Sequence, residues 1–101
     1  MAVTTWAGLL AGDDGESVRL AVYSDRSIQV EGLFGGASVS IGGSNDGVTY
    51  HRLTDTSGEP LVFSSGGLKQ IVELPVFLKP WLIGGDGTTN ITVTLAGRRS
   101  I

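Results

Sequence analysis

His51 is the single histidine of a 101-residue chain that has no cysteine. A hydrolytic triad needs a base held by an acid beside a nucleophile. The stretch "GGSND" around Ser44 lacks the closing glycine of a Gly-x-Ser-x-Gly elbow. Without cysteine, disulfides and thiolate metal sites are excluded. His51, next to Tyr50 in an extended run, therefore reads as a partly exposed strand residue, and no enzymatic activity is expected. Three acid-glycine pairs, Asp14–Gly15 (preceded by Asp13), Asp46–Gly47 and Asp86–Gly87, carry the carboxylates and turn carbonyls that calcium uses. None has the acidic spacing of an EF-hand loop, and Asp-Gly is common in turns for backbone reasons, so all three are expected to be plain turns. No phosphate-cradling glycine motif occurs, and no cofactor or metal is expected. The Asn90-Ile91-Thr92 sequon falls inside a predicted strand and is set aside as a glycosylation site.

The aromatic residues Trp6, Tyr50, Phe63, Phe77 and Trp81 could line a sugar-binding face. They equally suit a sandwich core or a subunit interface. Trp81, beside Pro80, leads the interface candidates, followed by Phe34 in its glycine-rich turn, with Trp6 and Tyr50 completing the set.

The net charge is −3. That argues against nucleic acid as a partner, which requires clustered Lys and Arg, and the pair Arg98–Arg99 is too short to serve. The opening "MAVTTWAGLLAGDDGE" has no basic n-region, and its apolar residues are broken by glycines. It is read as neither a signal peptide nor a membrane span, so the chain is expected to be soluble, cytoplasmically made and without a membrane partner.

The elements that must position these residues are strands. The 16 glycines are about twice the average share and punctuate apolar alternations. "VRLAVYS" puts Val18, Leu20 and Val22 on one face with Arg19 and Ala21 opposite. Ile28 and Val30 alternate with Gln29 and Glu31. In "ASVSIGG", Val39 and Ile41 point inward and Ser38 and Ser40 outward, and Gly35–Gly36 before it supply positive φ. "SNDG" is the strongest hairpin signal, with "VTYHRL" as the returning strand. "LVFS" is a short strand. Leu68, Ile71 and Val72 have the spacing of one helical turn ended by Pro75. Pro80 marks "VFLKPWLIG" as an edge strand or a bulged one. Ile91, Val93 and Leu95 face inward in the last strand, with Thr92 and Thr94 outward. The fold expected is all-β, one domain over residues 1–101, an antiparallel β-sandwich of seven or eight short strands with a jelly roll as the specific form. Residues 1–16 form either a first strand plus loop or a docking arm. A small core without staples also favours an oligomer.

The run "YSDRSIQVEGLFGGASVSIGGSNDGVTYHRLTD" resembles small structural proteins of tailed bacteriophages, and the likeness continues through "ELPVFLKPWLIGGDGTTNITVTLAGRR". It rests on Trp6, Asp25–Arg26–Ser27, Gln29, Val30, Gly32, Phe34–Gly35–Gly36–Ala37, the turn from Gly43 to Gly47 with Tyr50 after it, Gly84 to Thr89, and Arg98–Arg99. The resemblance implies a virion component, foremost a head decoration or cement protein. Such a protein would bind the major capsid protein on the capsid exterior as a dimer or trimer and brace the head. A tail, fibre or connector component is the alternative. The "GSNDG" turn followed by an aromatic also looks like the turn of discoidin-type carbohydrate-binding modules, which supplies a third reading.

Overall fold

The computed structural model describes residues 1–20 and 23–99; Ala21 and Val22, assigned above to opposite faces of a strand, lie outside them. The described residues contain nine strands and no helix: β1 (Ala2–Leu9), β2 (Val18–Arg19), β3 (Asp25–Leu33), β4 (Ser38–Ser44), β5 (His51–Arg52), β6 (Val62–Phe63), β7 (Gly67–Ile71), β8 (Phe77–Ile83) and β9 (Asn90–Arg98). Two antiparallel sheets form, β1-β9-β3-β7 (sheet A) and β2-β8-β4-β5, with β6 also pairing β4 (sheet B). The pairs are nested: the first strand with the ninth, the second with the eighth, the third with the seventh, and β4 with β5 and β6. This is the strand order of a jelly roll, with one of its eight positions divided between β5 and β6.

Alternation builds the core. On β9, Ile91, Val93 and Leu95 are buried while Thr92 and Thr94 are half-covered outside. Ile28 and Val30 of β3 meet Leu95 and Val93 directly in register. Sheet B answers with Val39, Ile41, Phe63, Leu78 and Leu82, and Trp6, Leu9, Leu20, Leu53, Leu61 and Ile71 close the same cluster.

Four expectations are corrected. Leu68–Val72 is not a helical turn; Gly67–Ile71 is strand β7, paired with Val30–Arg26. Those five residues of β3 need a ladder partner on that side, and a helical turn would leave their backbone groups unpaired. Leu68 and Val72, which the helical reading put on a buried face with Ile71, are 66% and 51% exposed. Ser40 is fully buried, because the outer face of β4 is itself covered: Trp81 pairs with Ser40 across the ladder and lies over Gly42.

The "SNDG" stretch does make a hairpin, but only His51 and Arg52 pair back, to Gly43 and Gly42. The loop is six residues, 45–50, because the Asp46 carboxylate takes the backbone N–H groups of Val48 and Thr49. Finally, of the two readings of Pro80 the edge strand fails, since β8 lies inside sheet B between β2 and β4, while the bulge holds: one extra residue stands between the Asp14–Trp81 bridge and the Val18–Leu78 pair. Pro80 is tolerated on this inner strand because it opposes Ile41, whose N–H turns away to the Leu61 carbonyl. On its other side the ladder is broken between the Asp14–Trp81 bridge and the β2 pairs, where the ring packs against Gly15 and the Pro80 carbonyl accepts the Gly15 N–H at 2.8 Å. Gly15 has no side chain to give: a Cβ there would stand 2.8 Å from the ring.

A charged group is built into the core. Arg26 is 2% exposed and spreads three donors over three carbonyls: Nε to Tyr23 (2.9 Å), Nη1 to Pro75 (2.8 Å) and Nη2 to Leu20 (2.7 Å). It ties the β2–β3 connection to the β7–β8 connection.

Candidate functional site

The alternation that sends Leu78, Pro80 and Leu82 inward sends Lys79 and Trp81 to the outer face of sheet B. Trp81 is half-buried, and the Cζ3–Cη2 edge of its indole packs against Gly42 of β4. A Cβ at Gly42 would fall 2.2 and 2.3 Å from Cζ3 and Cη2 of the ring, so only glycine leaves room for it. Lys79 turns its ammonium in two directions. Nζ stands 4.6 Å from the centroid of the Tyr50 ring and 3.1 Å from Asp14 Oδ2. Tyr50 is fixed in turn by a 2.6 Å hydrogen bond between its hydroxyl and Ser17 Oγ. Asp14 is placed by its bridge to Trp81. The result is a recess of about 430 Å³ lined by Gly12, Asp13, Asp14, Tyr50, Lys79, Trp81 and Leu82.

The other interface candidates lie elsewhere. Trp6 is 8% exposed, with its ring in the core and its Nε1 donating to the Glu16 carbonyl at 2.9 Å, so it presents no surface. Phe34 is half-buried against the core. Tyr50 and Trp81 are thus the two candidates that the fold brings together. Lys79 and Ser17 were not singled out from the sequence, and Asp14 was noted only as part of an acid-glycine turn. Lys79 had a signal, being two residues from Trp81 on one strand and so on its face. Nothing local linked Asp14 to Lys79 or Ser17 to Tyr50, since those contacts span 65 and 33 residues of sequence respectively.

A larger recess, about 790 Å³, holds His51 together with Asp46, Thr49, Glu73 and Pro75. Its acids are committed to the backbone. Asp46 accepts from Val48 at 2.8 Å and Thr49 at 2.9 Å and from Ser44 Oγ at 2.8 Å, and these bonds, led by Thr49 and Val48, pull its carboxyl down to about 2. Glu73 is pushed up by burial, but hydrogen bonds from the Thr54 hydroxyl and backbone outweigh this and lower it. His51 is exposed, and its ring makes no hydrogen bond to a described residue.

Two of the acid-glycine pairs, Asp46–Gly47 and Asp86–Gly87, are turns, but Asp14–Gly15 is not: Asp14 bridges Trp81 and the Gly15 N–H donates to the Pro80 carbonyl, so this pair is extended backbone beside β8. Asp13 Oδ2 accepts the Leu10 N–H at 2.8 Å. Asp86 Oδ1 accepts from the Thr88 hydroxyl and N–H, which lowers its carboxyl. Among the described residues, no three His, Cys, Asp or Glu side chains are grouped so as to hold a metal ion. No helix among them is long and apolar enough to cross a membrane.

The sheet edges differ in kind. In sheet B they are the two-residue strands β2, β5 and β6. In sheet A, β7 is guarded by Lys69, which turns inward to Asp55 Oδ2 at 3.2 Å and over the Phe63 ring. Short strands and inward charges are the usual protections of an edge. The other edge, β1, has neither: it is eight residues long and no charged side chain precedes Asp13, and its protection is a bulge between Trp6 and Leu9, which leaves Ala2–Trp6 regularly paired.

No protein-family model and no curated protein matches the chain. Solved structures do. The SPBc2 prophage-derived protein YomS superposes with a TM-score of 0.72 at 10% identity, over 95% of this chain and 92% of that one. Two structures of the IMPa metallopeptidase from Pseudomonas aeruginosa, one in complex with an O-glycopeptide, match at TM-scores of 0.53 and 0.52 and 18% identity. They cover 98% of this chain, which spans only 12% of theirs. At such identities the likeness is one of fold: the sandwich described above is shared with a prophage-derived protein of nearly equal extent.

Proposed function

We propose that this chain is a non-enzymatic structural protein of a bacteriophage or prophage particle, and within that class a decoration protein on the outside of the assembled head. The observation that carries the reading is the mutual coverage with YomS, in which the two chains are matched almost end to end as one jelly roll. The β1 edge supports it. Alternate residues of an edge strand hold their N–H and C=O groups outward, and the uncharged, regularly paired stretch Ala2–Trp6, ahead of the bulge before Leu9, is suited to strand addition. The occupant assigned to it is an extended segment of the major capsid protein. A ligand that binds only the assembled state stabilises that state by mass action, and a dimer or trimer engaging several equivalent sites multiplies the effect without further contacts. Cofactors and turnover have no part in this.

The test is the copy number of the chain in purified particles, relative to the major capsid protein. A simple ratio set by the capsid symmetry supports decoration. A handful of copies transfers the chain to the tail or connector, and complete absence from the particle overturns the structural reading.

A further inference from the structure

We propose that the recess on the outer face of sheet B binds a saccharide, one pyranose ring stacked on Trp81 with vicinal hydroxyls held by Asp14 and Lys79. The proposal is independent of the virion reading. Three features carry it, and each comes from a different part of the chain.

The first is the platform. Trp81 is half-buried and packed closely against Gly42 through Cζ3 and Cη2, and it borders a recess of about 430 Å³, within the size range of small-ligand sites. A sugar ring presents an apolar C–H face that suits a flat aromatic surface. The second is the polar pair. Each sugar hydroxyl both donates and accepts. The Asp14 carboxylate accepts, the Lys79 ammonium donates, and they stand 3.1 Å apart, so two adjacent hydroxyls can be served at once. The Asp14 side chain is 63% exposed, so it is open to a ligand. The third is rigidity. Lys79 is steadied by the Tyr50 ring at 4.6 Å, and Tyr50 by Ser17 at 2.6 Å, so the donor is set before any ligand arrives.

The same geometry disfavours other occupants. Lys79 is already matched by Asp14 in a chain of net charge −3, so an anionic phosphate gains little. A proline-rich peptide docks in a groove lined by several aromatics, but the Lys79 ammonium caps the Tyr50 ring, leaving Trp81 as the one open platform.

The test uses the full chain and a panel of methyl glycosides of glucose, galactose, mannose and N-acetylglucosamine, followed by tryptophan fluorescence and by amide NMR shifts. Trp6 is buried, so the fluorescence change reports Trp81. Saturable binding to at least one glycoside is expected, with a Kd near about 1 mM for a single ring. Affinity should fall about tenfold or more in Trp81→Ala. Asp14→Asn, an exposed change that leaves the core intact, should weaken binding to a similar degree. Absence of saturation across the panel up to about 10 mM overturns the proposal, as does binding that survives both substitutions. Capture of a proline-rich peptide at Trp81 with no glycoside binding also overturns it.

Discussion

Replacing Arg26 by methionine isolates the polar centre of the core. The side chain keeps its length and most of its apolar volume, but the carbonyls of Tyr23 and Pro75 lose the guanidinium donor, and that of Leu20 is left with only the Tyr23 N–H. A hydrogen bond from a charged donor contributes about 1.5–3 kcal/mol, so three set an upper bound of roughly 5–9 kcal/mol. The realised loss is smaller, because the guanidinium no longer has to be kept from water. Burial already works against its charge, lowering its pKa. Removing one side of a buried charged arrangement costs about 3–5 kcal/mol. Some buried ion pairs can be exchanged for apolar residues at no loss, but here the acceptors are backbone and remain after the exchange. A loss of about 3–5 kcal/mol is therefore expected, a large share of the roughly 5–15 kcal/mol available to a domain. In a chain of this size it lowers Tm by about 12 °C or more. Urea and thermal unfolding, followed through the emission of buried Trp6, measure it. Arg26→Lys should recover part of the loss, since one ammonium cannot span three carbonyls from two separate connections. A loss below about 1 kcal/mol in Arg26→Met would refute the assignment of Arg26 as the tie between those connections.

Ser40 Oγ is buried with no hydrogen-bond partner among the described residues. Ser40→Ala removes a desolvated hydroxyl and is expected to stabilise by about 1 kcal/mol, raising Tm by about 4–8 °C; a fall in Tm contradicts the burial argument. Gly42→Ala is compatible with its backbone but puts a methyl where the indole lies, so Trp81 must lift away. A red shift in its emission is expected with little change in unfolding midpoint, and unchanged emission counts against the close packing of Trp81 on Gly42. Asp46 titrates near 2 instead of the ordinary value of about 3.9. A depressed carboxyl contributes order above its unfolded pKa and loses it as pH falls through the folded value, so the Val48 and Thr49 amide shifts should move with a midpoint near 2. A midpoint near about 4 would show that the loop is not held by that carboxylate.

The parts of the fold legible in the sequence are those where alternation and burial agree. Ile91, Val93 and Leu95 on β9 and Ile28 and Val30 on β3 could be assigned because each strand has one face inside and one outside. The reading failed where a second layer covers a face that alternation marks as outer. Ser40 is small and polar, and nothing local announces that Trp81, 41 positions later, pairs with it. It failed again where pairing outweighs local spacing. Leu68, Ile71 and Val72 have the spacing of a helical turn, yet the open side of β3 claims the segment as a strand. Of the two readings Pro80 offered, the bulge held and the edge strand did not: the missing donor falls where one extra residue shifts the ladder beside an inner strand. Of the site, Trp81 and Tyr50 could be singled out as aromatic residues in extended runs. Their meeting, with Asp14 and Ser17, depends on the nested pairing of β2 with β8 and on the long β4–β5 loop.

The jelly-roll order also decides which surfaces can act together. Nesting puts β1 at the end of sheet A and β8 in the interior of sheet B, so the open edge and the Trp81 recess belong to different sheets. An edge acts in the plane of its sheet, through backbone groups, and makes little demand on side-chain identity. A face acts perpendicular to the sheet, through side chains whose identity decides the ligand. A partner strand added to β1 extends sheet A and leaves the outer face of sheet B uncovered. Docking to a particle and recognition of a saccharide are therefore compatible in one molecule, and substitutions at Trp81 or Asp14 should leave incorporation into particles unchanged. Loss of incorporation in Asp14→Asn, with the fold intact, would place the particle contact on sheet B and remove β1 from that role.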